Sequence, residues 1–121
     1  MSNPNFIILY VDHPAASAVF YADLLGRPAI EESATFALFA LESGVMLGLW
    51  SKHTVQPAPG AAGGGAELAF SVDGKAAVDA LHASWTDKKL AMLQAPVELD
   101  FGYTFVAIDP DGHRLRVFAA G

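Results

Sequence analysis

The sequence predicts an α+β fold made of two βαβββ modules, whose sheets pair and carry helices on one face. The first observation is that one order of elements, a strand, a helix and three strands, occurs twice in 121 residues. The second is a stretch at 56–65, rich in Gly, Ala and Pro, that separates the two occurrences. The length suits one domain over 1–121. We expect a first module at about 5–51, a loop at 52–65 and a second module at about 66–120.

The first module begins with a strand and a helix. Phe6–Val11 is an apolar run, and Pro14 suits the first turn of a helix because its missing N–H is not needed there. Apolar residues recur at helical spacing over Ala15–Leu25, and Gly26 ends the helix. Three short strands are predicted next, near Pro28–Glu31, Thr35–Leu41 and Val45–Trp50.

The second module repeats this order. Glu67–Val72 is predicted as a strand and Lys75–Asp87 as a helix, in which Trp85 is expected to pack in the core. Asp109–His113 reads Asp-Pro-Asp-Gly-His, a strong turn signal in which the two aspartates are expected to shape the turn. The remaining strands are predicted near Met92–Gln94 with a possible extension at Val97–Leu99, at Tyr103–Ile108 and at Arg114–Ala119.

Composition excludes several classes of function. A net charge of -6 speaks against nucleic acid or an anionic membrane as partner. The absence of cysteine excludes disulfides, thiolate metal sites and thiol nucleophiles. No signal peptide or membrane-length apolar stretch is seen, so we expect a cytoplasmic protein. The glycine-rich loop leads into a strand and no Lys-Ser or Lys-Thr follows it, which speaks against a phosphate loop.

Strand alternation predicts a polar, aromatic-lined face in the second module. Glu67 and Arg116 fall on the side of their strands opposite the apolar positions that face a helix. Trp50 alternates with Met46 and Gly48 in the first module, and Gly48 could leave space beside the indole for a planar ligand. A few polar groups among aromatic side chains are typical of a small-molecule site.

Three segments resemble the vicinal-oxygen-chelate superfamily, which includes glyoxalase I, extradiol dioxygenases, and fosfomycin and bleomycin resistance proteins. They are Val11–Gly26, Glu67–Asp73 and Asp109–His113. The resemblance implies a curved sheet with the helices outside. It also places the family's metal ligands at Phe6, Glu67 and Arg116, of which only Glu67 can bind a metal. We therefore expect no metal and no cofactor.

Within that superfamily, the sequence is similar to the metal-free phenazine antibiotic-resistance proteins. The similarity lies in Leu47–Ser51, Gly102–Phe105 and the run from Asp109 to Val117. It implies a homodimer formed by exchange of modules, which traps a flat aromatic compound between aromatic side chains. The expected ligand-binding residues are Trp50, Glu67, Arg116, Tyr103 and Phe36. Either Phe36 or Phe39 should face the ligand, and we favour Phe36.

These observations predict a binding protein that sequesters a planar aromatic compound such as an antibiotic, with no catalytic residue. Trp50 would stack on the ligand, while Arg116 or Glu67 would hold a polar edge. An equally open alternative is that Glu67 and Arg116 form a purely structural ion pair. Two other functions remain open: a metal-dependent enzyme of the glyoxalase or dioxygenase type using Glu67, and a self-associating or regulatory module.

Overall fold

Residues 2–61 and 63–121 are described by a computed structural model, in which the elements follow the predicted order. The chain divides into two compact units, one up to residue 62 and one from residue 63. The elements of the first unit are β1 (Phe6–Val11), α1 (Pro14–Leu25), β2 (Glu31–Glu32), β3 (Phe36–Ala40) and β4 (Met46–Ser51). Those of the second are β5 (Glu67–Ser71), α2 (Lys75–Asp87), β6 (Ala91–Leu99), β7 (Gly102–Ile108) and β8 (Arg114–Ala120).

The first unit is a four-stranded mixed sheet in the order β1-β4-β3-β2, with β1 parallel to β4 and the other pairs antiparallel. The helix α1 starts with Pro14 in its first turn and ends at Gly26, whose φ of 70° favours glycine. It contacts β3 and β4 on one side of the sheet. The core of this unit is fully or almost fully buried and includes Val11, Tyr21, Phe39, Leu47 and Leu49.

The second unit repeats the arrangement, with the strand order β5-β8-β7-β6 and β5 parallel to β8. The helix α2 contacts β6, β7 and β8. Trp85 of α2 is buried between two rings, with centroid distances of 5.4 Å to Phe70 and 5.3 Å to Phe105, both edge-on. The predicted packing role of Trp85 is therefore confirmed.

The predicted turn before β8 is built around Asp109. Its Oδ1 accepts hydrogen bonds from the backbone N–H groups of Asp111 and His113, both at 2.9 Å. An aspartate that bonds the backbone a few residues ahead stabilises such a turn. This fixes where β8 begins, and so which of its side chains share a face.

The predicted α+β class and the two βαβββ modules are confirmed, with two differences in strand position. β2 pairs only at Glu31–Glu32, although the backbone N–H of Ile30 also donates to the Leu38 carbonyl at 2.7 Å. β6 is one strand from Ala91 to Leu99, with shifts of register on both sides of Gln94. Pro96 lies within the second shift, where a missing donor is tolerated.

Exchange of modules between two chains stays a prediction.

In the described part of the chain, neither helix combines the length and apolar character needed to cross a bilayer.

The core of the second unit gives a first testable prediction. Leu115 is fully buried in β8, so Leu115→Ala should lower the free energy of unfolding by about 2–5 kcal/mol through lost burial and a cavity. Leu93→Ala is the matched control, because Leu93 is 51% exposed and should change stability by only about 0.5 kcal/mol. Urea unfolding followed by circular dichroism measures both. Equal effects of the two substitutions would contradict this assignment of the core.

Candidate functional site

Each sheet has one side contacted by its own helix and one side that its helix leaves free, here called the helix-free face. In the second unit, register places Arg116 level with Val106 on one neighbouring strand and with Ala69 on the other. Gln94 of β6 lies opposite Val106, so it belongs to the same row. Side chains of paired residues point to the same side of a sheet. The helix-free face therefore carries the side chains of Glu67, Ala69, Gln94, Thr104, Val106, Arg116 and Phe118.

Glu67 and Arg116 form a two-point ion pair on this face. Arg116 Nε donates to Glu67 Oε1 at 2.7 Å and Nη2 donates to Oε2 at 3.0 Å. The third nitrogen, Nη1, donates to Thr104 Oγ1 at 3.1 Å. The buried Thr104 hydroxyl in turn donates to the backbone carbonyl of Val117 at 2.8 Å. The guanidinium is thus held from two sides, in the paired geometry that gives arginine–carboxylate bonds their strength and direction.

The ion pair also sets the charge state of the glutamate. The hydrogen bonds from Arg116 lower the pKa of Glu67 below its ordinary value of 4.5. Partial burial opposes this shift, and the charges of Arg116 and Arg114 reinforce it. Glu67 is therefore ionised at neutral pH, and both of its oxygens are engaged.

This donor set does not fit a divalent metal ion. Both oxygens of Glu67 already accept hydrogen bonds from a group that carries a permanent positive charge. A divalent ion needs several oxygen or nitrogen ligands, and neither a phenyl ring at Phe6 nor a guanidinium at Arg116 can supply one. No group of three His, Cys, Asp or Glu side chains suited to a metal occurs over residues 2–61 and 63–121. Of the three metal-ligand positions implied by the family resemblance, only Glu67 has a side chain able to bind a metal, and its carboxylate is already paired with Arg116.

Two aromatic rings adjoin the ion pair. Phe101 and Phe118 contact each other edge-on with ring centroids 5.9 Å apart, and Arg116 Cζ lies 5.7 Å from the centre of the Phe101 ring. Phe101 is 46% exposed. It lies in the turn between β6 and β7, and the strand analysis missed it. The available signal for Phe101 was its aromatic side chain at a turn position, where polar residues are usual.

The helix-free face of the first sheet is aromatic. Register places Trp50 level with Tyr10 on β1 and with Phe36 on β3. Phe36 meets Trp50 edge-on at 6.4 Å. The alternative residue, Phe39, is fully buried on the side that faces α1. The structure thus brings Phe36 and Trp50 together.

Gly48 has a different use from the expected one. A Cβ atom built on Gly48 would lie 2.8 Å from Cζ of Phe36. The Phe36 ring therefore lies directly over the glycine and occupies the space that we expected to be open to a ligand beside Trp50. Gly48 admits an aromatic side chain of this chain itself, and the surface next to Trp50 is formed by that ring.

Tyr103 is separated from the other predicted residues of the second sheet. Its neighbours Gly102 and Thr104 belong to the helix-free face, so Tyr103 points toward α2. Its hydroxyl donates to Asp79 Oδ1 at 2.8 Å, and this bond raises the pKa of Tyr103 above its ordinary value. Lys75 Nζ lies 5.5 Å from the ring centre. The structure therefore places Tyr103 in the contact between helix and sheet and does not bring it to Glu67 and Arg116.

A second polar cluster lies where the parallel strands β1 and β4 end. His53 Nε2 lies 2.6 Å from Asp12 Oδ1, and His13 Nε2 lies 3.0 Å from Asp12 Oδ2. The hydrogen bond with His53 lowers the pKa of Asp12, with smaller contributions from nearby positive charges. These side chains are largely exposed, where ion pairs add little stability. These contacts connect the residues that follow β1 and β4.

The ion pair gives a prediction for the charge state of Glu67. Arg116→Gln should raise the pKa of the Glu67 carboxyl toward its ordinary value, because the hydrogen bonds from Arg116 are the main cause of the lowering. Arg114→Gln should raise it less, because Arg114 acts only through its charge. Carbon-13 NMR of the side-chain carboxyl during a pH titration measures both.

The same shift fixes the pH dependence of stability. A lowered pKa in the folded state means that the pair stabilises the fold above pH 4.5, and that this contribution is lost as the pH falls through the lowered pKa. Arg116→Gln should therefore flatten the loss of stability in this acidic range. A Glu67 titration that does not respond to Arg116→Gln would show that the ion pair does not form in solution.

Comparison with known proteins agrees with this architecture. Residues 3–117 match the glyoxalase/bleomycin resistance protein/dioxygenase superfamily. The phenazine antibiotic resistance protein EhpR of Enterobacter agglomerans is 28% identical over 119 residues, which cover 94% of this chain and 89% of EhpR.

Two solved structures share the fold. The solution structure of protein ATC0852 from Agrobacterium tumefaciens has 55% identity and a TM-score of 0.92, with 100% of this chain and 99% of that chain covered. A glyoxalase-related enzyme from Fulvimarina pelagi has a TM-score of 0.85 at 20% identity, covering 98% of this chain and 88% of that chain. The match over residues 3–117 shows that the chain belongs to the glyoxalase/bleomycin resistance protein/dioxygenase superfamily.

Proposed function

We propose that this protein binds and sequesters a planar aromatic compound, such as a phenazine-type antibiotic, without a metal ion and without transforming it. The observation that carries the proposal is the two-point pairing of Glu67 with Arg116, at 2.7 and 3.0 Å. This pairing leaves the helix-free face of the second sheet with hydrogen-bonding groups and aromatic rings in place of a metal centre. The similarity to EhpR, a phenazine antibiotic resistance protein, supports the same class of ligand.

The first sheet supplies the stacking surface in this proposal. Trp50 and Phe36 are partly exposed and set edge-on, so that the indole offers a flat face beside the phenyl ring. Aromatic side chains bind planar rings through large contact areas at a low cost in side-chain entropy. Stacking of this kind recognises shape and requires no reaction of the ligand.

The second sheet supplies the polar contact. A guanidinium has five N–H groups, and the bonds to Glu67 and Thr104 use three of them. The others can donate to an acceptor on the ligand, such as a ring nitrogen or a carbonyl oxygen. Because Glu67 balances the charge of Arg116, a neutral aromatic compound can bind without a counter-ion.

The stacking role of Trp50 is tested with phenazine as the probe. Trp50→Ala should weaken phenazine binding by about 1–3 kcal/mol, the range for the loss of an aromatic stacking partner. Calorimetry measures the affinity. Val19→Ala is the control and should leave it unchanged, because Val19 is an exposed apolar residue on α1.

Fluorescence separates the two tryptophans of the chain. Trp85→Phe keeps Trp50 as the only indole, and phenazine should quench it. Trp50→Phe keeps the buried Trp85, whose emission should change little. Equal quenching in the two variants would contradict stacking on Trp50. One divalent ion per chain that is lost in Glu67→Gln would instead favour a metal-dependent enzyme.

We also propose that the chain forms a homodimer. β1 is an edge strand of the first sheet, and its apolar side chains Phe6, Ile8 and Tyr10 are 50%, 44% and 41% exposed. Exposed apolar side chains on an edge strand favour association with another chain. Sedimentation equilibrium should give twice the chain mass of 12.7 kDa, and Ile8→Lys should shift the protein toward monomer. A wild-type monomer at high protein concentration would contradict the proposal.

A further inference from the structure

Arg114 brings a second positive charge to the helix-free face of the second sheet. It alternates with Arg116 on β8, so both side chains point to the same side and their backbones are about 7 Å apart. The chain has a net charge of -6 and three arginines, and two of the three lie here. Two guanidinium groups at this separation repel each other, and an anion beside them relieves the repulsion.

Glu67 balances only one of these two arginines. Register places Arg114 directly opposite Glu67, but both oxygens of the carboxylate accept hydrogen bonds from Arg116. Arg114 acts on Glu67 through its charge and donates no hydrogen bond to it. The two arginines and the one carboxylate therefore leave one positive charge unbalanced among them.

The surface around these charges is accessible. Arg114 is partly exposed, and the side chains of Glu67 and Arg116 are 31% and 17% exposed. Phe118 follows Arg116 on the same side of β8, and it contacts the ring of Phe101, which is 46% exposed. An exposed aromatic ring thus lies toward one end of the ion pair, and the unbalanced charge lies toward the other.

We propose that Arg114 binds a carboxylate carried by the planar aromatic ligand, whose ring system lies over the pair of Glu67 and Arg116 on the side of Phe101. The planar fork of N–H groups on a guanidinium matches the two oxygens of a carboxylate. The ring system meets only the balanced ion pair and the exposed phenyl ring. The inference rests on the proposed binding function and narrows its ligand class to planar aromatic acids.

The test compares two probes of nearly the same size and shape, a phenazine carboxylate and the corresponding carboxamide, which carries no charge. The wild type should bind the carboxylate more tightly, by about 3- to 10-fold. This preference is below that of a buried charged pair, because water screens the partly exposed Arg114. Calorimetry at neutral pH and low salt measures both affinities.

Variants assign the preference to Arg114. Arg114→Gln should bind the two compounds equally, and Arg114→Lys, which keeps the charge but not the fork, should keep part of the preference. Lys88→Gln is the control, because it removes a positive charge at the end of α2, on the other side of the sheet, and should keep the whole preference. Raising the salt concentration should reduce the preference of the wild type, since salt screens exposed charges.

The possible failures are distinct. If the wild type does not prefer the carboxylate, if Arg114→Gln keeps the preference, or if Lys88→Gln loses it equally, Arg114 does not bind the acid and the proposed function stands. Urea unfolding of Arg114→Gln close to that of the wild type shows that any loss reflects binding. If the wild type binds neither compound, the proposed function is overturned and this inference with it.

Discussion

The two-point pair between Glu67 and Arg116 determines the chemistry of the second sheet. Register places Arg114, and not Arg116, directly opposite Glu67. Arg116 nevertheless makes the bond from the adjacent row, and its third nitrogen donates to Thr104 on the other side. The carboxylate is then ionised, doubly bonded to a fixed cation and unsuited to binding a divalent ion. The polar groups left on this face are hydrogen-bonding groups, as the proposed reversible binding of a ligand requires.

In the first sheet, Gly48 determines where an aromatic ring lies. Phe36 lies over Gly48, where any Cβ would force the ring away. The ring thereby reaches the edge-on contact with Trp50, and the aromatic surface is fixed by the protein's own packing before a ligand arrives. A surface fixed in advance loses less side-chain entropy on binding. The glycine is therefore part of the candidate site even though it adds no contact of its own.

Most of the fold could be predicted from the sequence, because the strands of each module alternate clearly and the turns have strong signals. The bounds of β1 and α2 were predicted as observed, and the alternation of β8 placed Arg116 correctly. β7 was harder, because both of its sides look apolar: Tyr103 shares a side with Phe105, and Thr104 shares the other with Val106. The side of the sheet on which Gln94 lies could not be predicted, because two shifts of register in β6 interrupt the alternation.

The superfamily includes both enzymes and resistance proteins, so membership alone leaves the reaction open. The residues themselves favour binding. A glyoxalase or dioxygenase that relied on Glu67 would first have to break two charge-assisted hydrogen bonds and bring a cation beside a guanidinium, and both steps cost free energy. A planar neutral compound requires neither step. It needs only aromatic area and a few oriented hydrogen-bonding groups, and the helix-free face of the second sheet has Phe101 and Arg116. The ion pair that fits a divalent metal poorly is therefore the one that suits the proposed reversible ligand.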